Sequence, residues 1–145
     1  MREILGVIYP IPVDFADRLF DGKPKVFVKF LPHNSTKLAP RHKIIFYASH
    51  GSKKLVGEGI IEKVEFLTSE KVLTRYKDDL FLNEAEFYTY VKRSPSRTSS
   101  KEMLTLVLRR LRKYPKSIEY DRPITMAGQY LSAEDYNSLM QNKEA

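Results

Sequence analysis

Glu58 is a carboxylate held between Gly57 and Gly59, a few residues after the basic, glycine-containing link His50-Gly51-Ser52-Lys53. Two glycines with lysines between them raise the question of a phosphate cradle. A P-loop needs a lysine and a hydroxyl residue directly after its second glycine, to reach the terminal phosphate and its Mg²⁺. Here Glu58 and Gly59 follow Gly57, and a carboxylate in the ammonium's place would repel the ligand. Gly57-Glu58-Gly59 is also too short for a dinucleotide fingerprint. The pattern instead predicts two strands, 43–49 and 54–66, joined by a turn, with Gly57 or Gly59 marking a bulge or a close backbone approach.

The remaining chemistry-bearing residues are sparse. His33, His42 and His50 have no short ligand spacing and no carboxylate or thiolate company, so they predict polar loop roles and no metal site. There is no G-x-S-x-G and no Ser-His-Asp order to suggest a serine hydrolase. With no cysteine, disulfides, a thiolate nucleophile and Cys-ligated zinc are excluded. No cofactor motif is present, and none is expected.

Charge carries more information. The net charge is +7 over 145 residues, but it is unevenly laid out. Between Asp21 and Glu58 no acidic residue interrupts Lys23, Lys25, Lys29, Lys37, Arg41, Lys43, Lys53 and Lys54. From Phe87 to Ile118, Glu102 is the sole acid against Lys92, Arg93, Arg97, Lys101, Arg109, Arg110, Arg112, Lys113 and Lys116. Each segment carries +8, so the rest of the chain carries −9. If the two segments meet in space, they make the positive field that a polyanion recognises.

The elements that must bring them together fit one domain, since 145 residues can bury a core without staples. No apolar run approaches the roughly 18 residues of a membrane span, and the N-terminus has an acid and two prolines where a signal peptide needs an unbroken apolar region. The expectation is a cytoplasmic protein with no membrane contact. Residues 3–9 read as a strand closed by Pro10 and Pro12. Residues 13–22 read as a short helix burying Phe15, Leu19 and Phe20, with Gly22 at its end. Residues 25–30 alternate Val26, Val28 and Phe30 against Lys25, Phe27 and Lys29, which predicts a strand with one apolar face and one mixed, basic face.

Thr68 or Ser69 starts a helix through Tyr76. Asn83 with Glu86 forms a capping box for another, with Leu82 against Phe87 as its staple. A mobile, Ser-rich basic loop follows at 93–101. Residues 102–114 are ambiguous: Leu104, Leu108 and Leu111 share a helical face, while Leu104, Leu106 and Leu108 share a strand face that would leave Thr105 tolerant of charge. Near the C-terminus a short strand, a glycine turn and a helix capped by Ser132 and Asp135 are expected.

The paired strands resemble the central hairpin of the PUA-like superfamily, in particular its ASCH and EVE branches, through Tyr47, Ser49, Val56 and Gly57. Residues 21–30 are less closely similar to the ASCH signature G-x-K-x-x-E-x-R: Gly22 and Lys23 or Lys25 are present, with Phe27 and Lys29 where Glu and Arg belong. Residues 106–132 resemble the final strands of an uncharacterised archaeal PUA-like family. The likeness implies an α+β fold, a small mixed β-barrel flanked by short helices, and makes 103–113 a strand.

The resemblance also implies binding of RNA, or of a nucleobase taken into a pocket. The residues suit this: a base is held by stacking and edge hydrogen bonds, and a backbone by Lys and Arg. Tyr47 offers a ring, although a core role is equally compatible with its place on a strand. Ser49 and His50 offer hydrogen bonds, and Lys23, Lys25, Lys29, Lys53, Arg109, Arg110 and Arg112 offer charge. The alternative is an ASCH-type hydrolase acting on RNA or a modified nucleoside, with Lys23 or Lys25 and Glu58 as acid/base pair and Thr125 or Tyr130 assisting. A protein-binding adaptor with an incidental basic face is the third class.

Overall fold

The computed structural model describes residues 3–12, 17–20, 23, 25–31, 36–48, 54–92, 101–120, 124 and 128–144. Six strands, β1 (Ile4–Ile11), β2 (Lys25–Lys29), β3 (Lys43–Ala48), β4 (Lys54–Thr68), β5 (Glu102–Glu119) and β6 (Gln129–Ser132), form one mixed sheet in the order β2-β5-β4-β3-β1-β6. Among the described strands only the pair β1 and β3 runs parallel. β2 and β6 lie at opposite edges, so the sheet is barrel-like at most and does not close on itself. Among the described residues three α-helices accompany it: α1 (Ser69–Tyr76), α2 (Glu84–Lys92) and α3 (Ala133–Glu144).

The helices start where their local chemistry says they should. The Thr68 hydroxyl accepts from the Lys71 amide at 3.4 Å. Asn83 and Glu86 exchange reciprocal bonds of 2.8 and 2.9 Å, with Leu82 and Phe87 both buried beneath them. Ser132 and Asp135 do the same at 3.2 and 3.3 Å. Each pair satisfies amides that the first helical turn leaves orphaned.

The ambiguous segment is a strand. Leu104, Leu106 and Leu108 are fully buried, but so are Met103 and Thr105. The expectation that Thr105 tolerates charge is therefore corrected: this half of β5 is covered on both faces, and the Thr105 hydroxyl is occupied by donating to the Met103 carbonyl at 3.2 Å. β2 departs in the same way from its predicted mixed face. Phe27 stacks between Tyr9 and Phe81, at 5.5 and 5.2 Å, and Lys29 is only 7% exposed with its ammonium 5.4 Å from the Tyr9 ring centre. The free side of β2 is bridged by Leu80, and the Phe81 amide donates to the Val26 carbonyl at 3.2 Å.

Other boundaries shift. β1 continues through Pro10; β6 leaves β1 at Ile8, so a proline at position 10 meets one neighbouring strand rather than two. The short 3-10 turn Asp17–Phe20 buries Leu19, while Phe15 and Gly22 lie outside the described residues, as does the loop 93–100. A short strand, β6, follows Gly128, and the strand expected before that glycine falls at 121–127, where all but Ile124 lie outside the described residues.

Alternation along β3 divides two cores. Ile44, Phe46 and Ala48 enter the larger one, with β2, β5, α1 and α2. Ile45 and Tyr47 enter a smaller one with Ile8, Leu55, Tyr114, Ile118 and Leu131, against which Tyr136, Leu139 and Met140 of α3 pack.

Candidate nucleic-acid interface

Glu58 lies on the smaller-core side of β4, opposite Ile45. Glycine on either side explains how it gets there. A Cβ at Gly57 would meet the Phe20 ring at 2.3 Å, and one at Gly59 would meet Leu111 at 2.6 Å, so bulky neighbours fill the opposite face where side chains would stand. The carboxylate, 4% exposed, accepts from the hydroxyls of Tyr136 at 2.7 Å and Tyr114 at 3.0 Å and from Lys43 Nζ at 2.9 Å. Arg112 pairs with it at 3.3 Å. Lys43 also sits 4.9 Å from the Tyr136 ring centre, and the Arg112 guanidinium 5.8 Å from that of Tyr114.

Burial alone would raise the Glu58 pKa, but the hydrogen bonds from Tyr136 and Lys43, the Lys43 charge and the Tyr114 bond outweigh it and hold the carboxyl below its ordinary value. Burial would lower Lys43, and its bond and charge interaction with Glu58 reverse that. Both tyrosine hydroxyls are pushed up, by burial first and by the neighbouring carboxylate second. The cluster is thus an ionised, satisfied carboxylate that fixes two cations and two phenols.

The sequence-predicted residues divide among different surroundings. The lysine on Glu58 is Lys43, not Lys23 or Lys25: Lys25 stands opposite Leu108, and Leu108 opposite Ile61, which puts Lys25 two strands away and three residues along. Tyr47 takes the core role; it is 9% exposed, its ring edge-on to Tyr120 at 6.4 Å. Lys29 is buried, because β2 is covered on both faces. Lys23, Arg109, Arg110 and Arg112 are exposed and Lys25 half-buried. Ser49, His50, Lys53 and Thr125 lie outside the described residues, as do His33 and Gly51. Tyr130 is 39% exposed, and its hydroxyl accepts from the Lys37 amide at 3.1 Å, away from Glu58. His42 serves a turn, its Nδ1 accepting from the Ala39 amide at 3.0 Å. Among the described residues no three potential ligands gather as a metal would require.

Lys43, Tyr114 and Tyr136 were not singled out as site residues by sequence. They lie 15, 56 and 78 residues from Glu58, and only strand register and the placement of α3 bring them to it.

Residues 4–133 match the family described as a domain of unknown function, DUF365. The chain belongs to that family. An uncharacterized protein of Methanocaldococcus jannaschii is 36% identical over 104 residues, spanning 68% of this DUF365 chain and 96% of the relative. Among solved structures, ASCH from Zymomonas mobilis superposes with a TM-score of 0.77 at 16% identity, covering 94% of each chain. A serine-to-alanine mutant of the same ASCH protein gives 0.77 at 18% identity, over 97% of this chain and 98% of that one. The N-terminal domain of McrB from Staphylothermus marinus gives 0.61 at 20% identity, covering 97% and 98%. The fold is therefore the ASCH/PUA-like fold that the hairpin residues suggested. No helix among the described residues is long and apolar enough to cross a membrane.

Proposed function

We propose that this protein binds RNA in single-stranded form, through phosphate contacts made by its two acid-poor basic segments. One observation carries the reading: segments far apart in sequence are neighbours in the sheet. Lys25 of the first segment lies opposite Leu108, beside Arg109 of the second, and Lys43 of the first is aligned with Arg109 across Ile60. Arg109 and Arg110 are exposed and have no acidic partner among the described residues. The hydrolase alternative has less support, because Glu58 is locked by three hydrogen-bond donors and an ion pair with Arg112 and held ionised, which suits an anchor better than a proton shuttle.

The test is binding of fluorescent single-stranded RNA over a range of salt. Each phosphate contact adds roughly 0.7 to the log–log slope, so several contacts predict a steep loss of affinity as salt rises. Affinity that does not change between low and high salt would remove the electrostatic reading, and turnover of a modified nucleoside would favour the hydrolase.

A further inference from the structure

Arg109 and Arg112 are three residues apart, and in a regular strand residues three apart point to opposite faces. β5 is not regular here. Its pairing with β4 goes from Ile60 opposite Arg109 to Glu58 opposite Arg112, so two steps on β4 match three on β5. The extra residue is accommodated at Arg110, whose φ of 52° lies in the left-handed region, and Leu111 turns over Gly59 on the larger-core side. This is a β-bulge, which re-aims the side chains on either side of it. Its consequence is that Arg109 and Arg112 share one face, the face of Ile60 and Glu58.

Lys43 joins them, since it pairs with Ile60 from the other side. Three cations thus surround one half-buried isoleucine and one buried carboxylate. Glu58 neutralises one charge, leaving about two in excess. It also fixes Lys43 and Arg112, whose side chains keep 27% and 53% of their exposure. Arg109 sits across Ile60 from Lys43, with two strand spacings, roughly 10 Å, between their backbones. That spacing suits neighbouring phosphates of an extended strand, or one phosphate drawn between the longer side chains.

We propose that Lys43, Arg109 and Arg112 form a phosphate platform created by the Arg110 bulge, and that it grips the backbone of a single-stranded RNA. The platform deepens the RNA-binding reading and rests on it for the identity of the ligand. Glu58 is its positioning residue, touching two of the cations and no ligand.

Two measurements test it. In RNA anisotropy titrations over salt, Arg109→Ala and Arg112→Ala should each lower the log–log slope by about 0.7 and together by about 1.4. Lys71→Ala, exposed on α1 and outside both basic segments, should leave the slope as it is. Melting curves confirm that each variant is folded, and Arg109 is exposed enough to be replaced without loss of fold. Separately, the Nε–Hε signals of the arginines are followed by NMR as inorganic phosphate is added, with shifts expected at Arg109 and Arg112. RNA binding with an unchanged slope in the folded double variant overturns the platform and leaves the RNA reading standing. Phosphate shifts at these arginines without any RNA binding support the platform and overturn the RNA reading. Neither RNA binding nor phosphate shifts overturns both.

Discussion

The two halves of β5 contrast sharply. From Leu104 to Leu108 the strand pairs with β2 on one side and β4 on the other, and its side chains are buried on both faces apart from the half-buried Val107. From Arg109 onward β2 has ended, the register with β4 slips twice, and Arg109, Arg110, Arg112, Lys113, Pro115 and Lys116 are exposed. One half builds the core and the other displays charge. The slips matter because they break the strict alternation that would send half of those charges to the core side.

The largest effect that tests this contrast lies in the regular half. Leu106→Lys places an unpaired charge among fully buried neighbours and should abolish folding, and Leu106→Ala should cost about 2–5 kcal/mol in urea unfolding. Thr105→Lys should be nearly as damaging as Leu106→Lys, because both faces are covered. Leu111→Lys, at the half-buried bulge, should leave a folded protein. A stable Thr105→Lys variant would mean that this half of the strand has an open face after all.

An intermediate effect belongs to Glu58, which ties the bulged half to β3 and α3. Glu58→Gln removes the charge to which Lys43, Tyr114 and Tyr136 are bonded, at a cost of about 1–3 kcal/mol. The pH dependence has a definite sign. The folded carboxyl lies below its ordinary value, so its contribution is complete above the unfolded pKa, about 4.3, and is lost as pH falls through the folded pKa. Wild-type stability should therefore fall in that acid window, and the difference between wild type and Glu58→Gln should shrink there. A difference constant from pH 7 to pH 2 would show that the carboxylate's ionisation contributes nothing.

The same contrast explains what the sequence made legible. The caps at Thr68, Asn83 and Ser132 depend on residues three apart, so their signals are local and survived intact. The β3–β4 strands and the close approaches at Gly57 and Gly59 were also readable, because alternation and glycine act over a few residues. Strand or helix at 103–113 was undecidable from periodicity, since burial on both faces erases the alternation that marks a strand. Tyr47 could not be assigned to a core without knowing that a C-terminal helix covers the second face of the sheet. The partners of Glu58 and the common face of Arg109 and Arg112 were invisible for a related reason. They are set by register, and a bulge reverses the parity that spacing alone would predict.

The smallest effect concerns the bulge itself. Arg110 adopts φ 52°, a conformation that costs an L-residue roughly 1–2 kcal/mol and glycine almost nothing. Glycine in a strand also loses more backbone entropy on folding, about 0.5–1 kcal/mol, so the two terms nearly offset. Arg110→Gly should therefore change stability by no more than about 1 kcal/mol, and in the stabilising direction, even though it deletes a long side chain from the middle of a strand. Because the bulge is preserved, Arg109 and Arg112 should keep their shared face, and RNA binding should lose at most the contribution of one exposed charge. Straightening the strand with every residue kept is the opposite operation: Arg109 and Arg112, three apart with no bulge between them, would point to opposite faces, and one of them would turn toward the larger core. If Arg110→Gly instead destabilises the protein by several kcal/mol in urea unfolding, the side chain of Arg110 is holding the bulge, and backbone preference is not what shapes it.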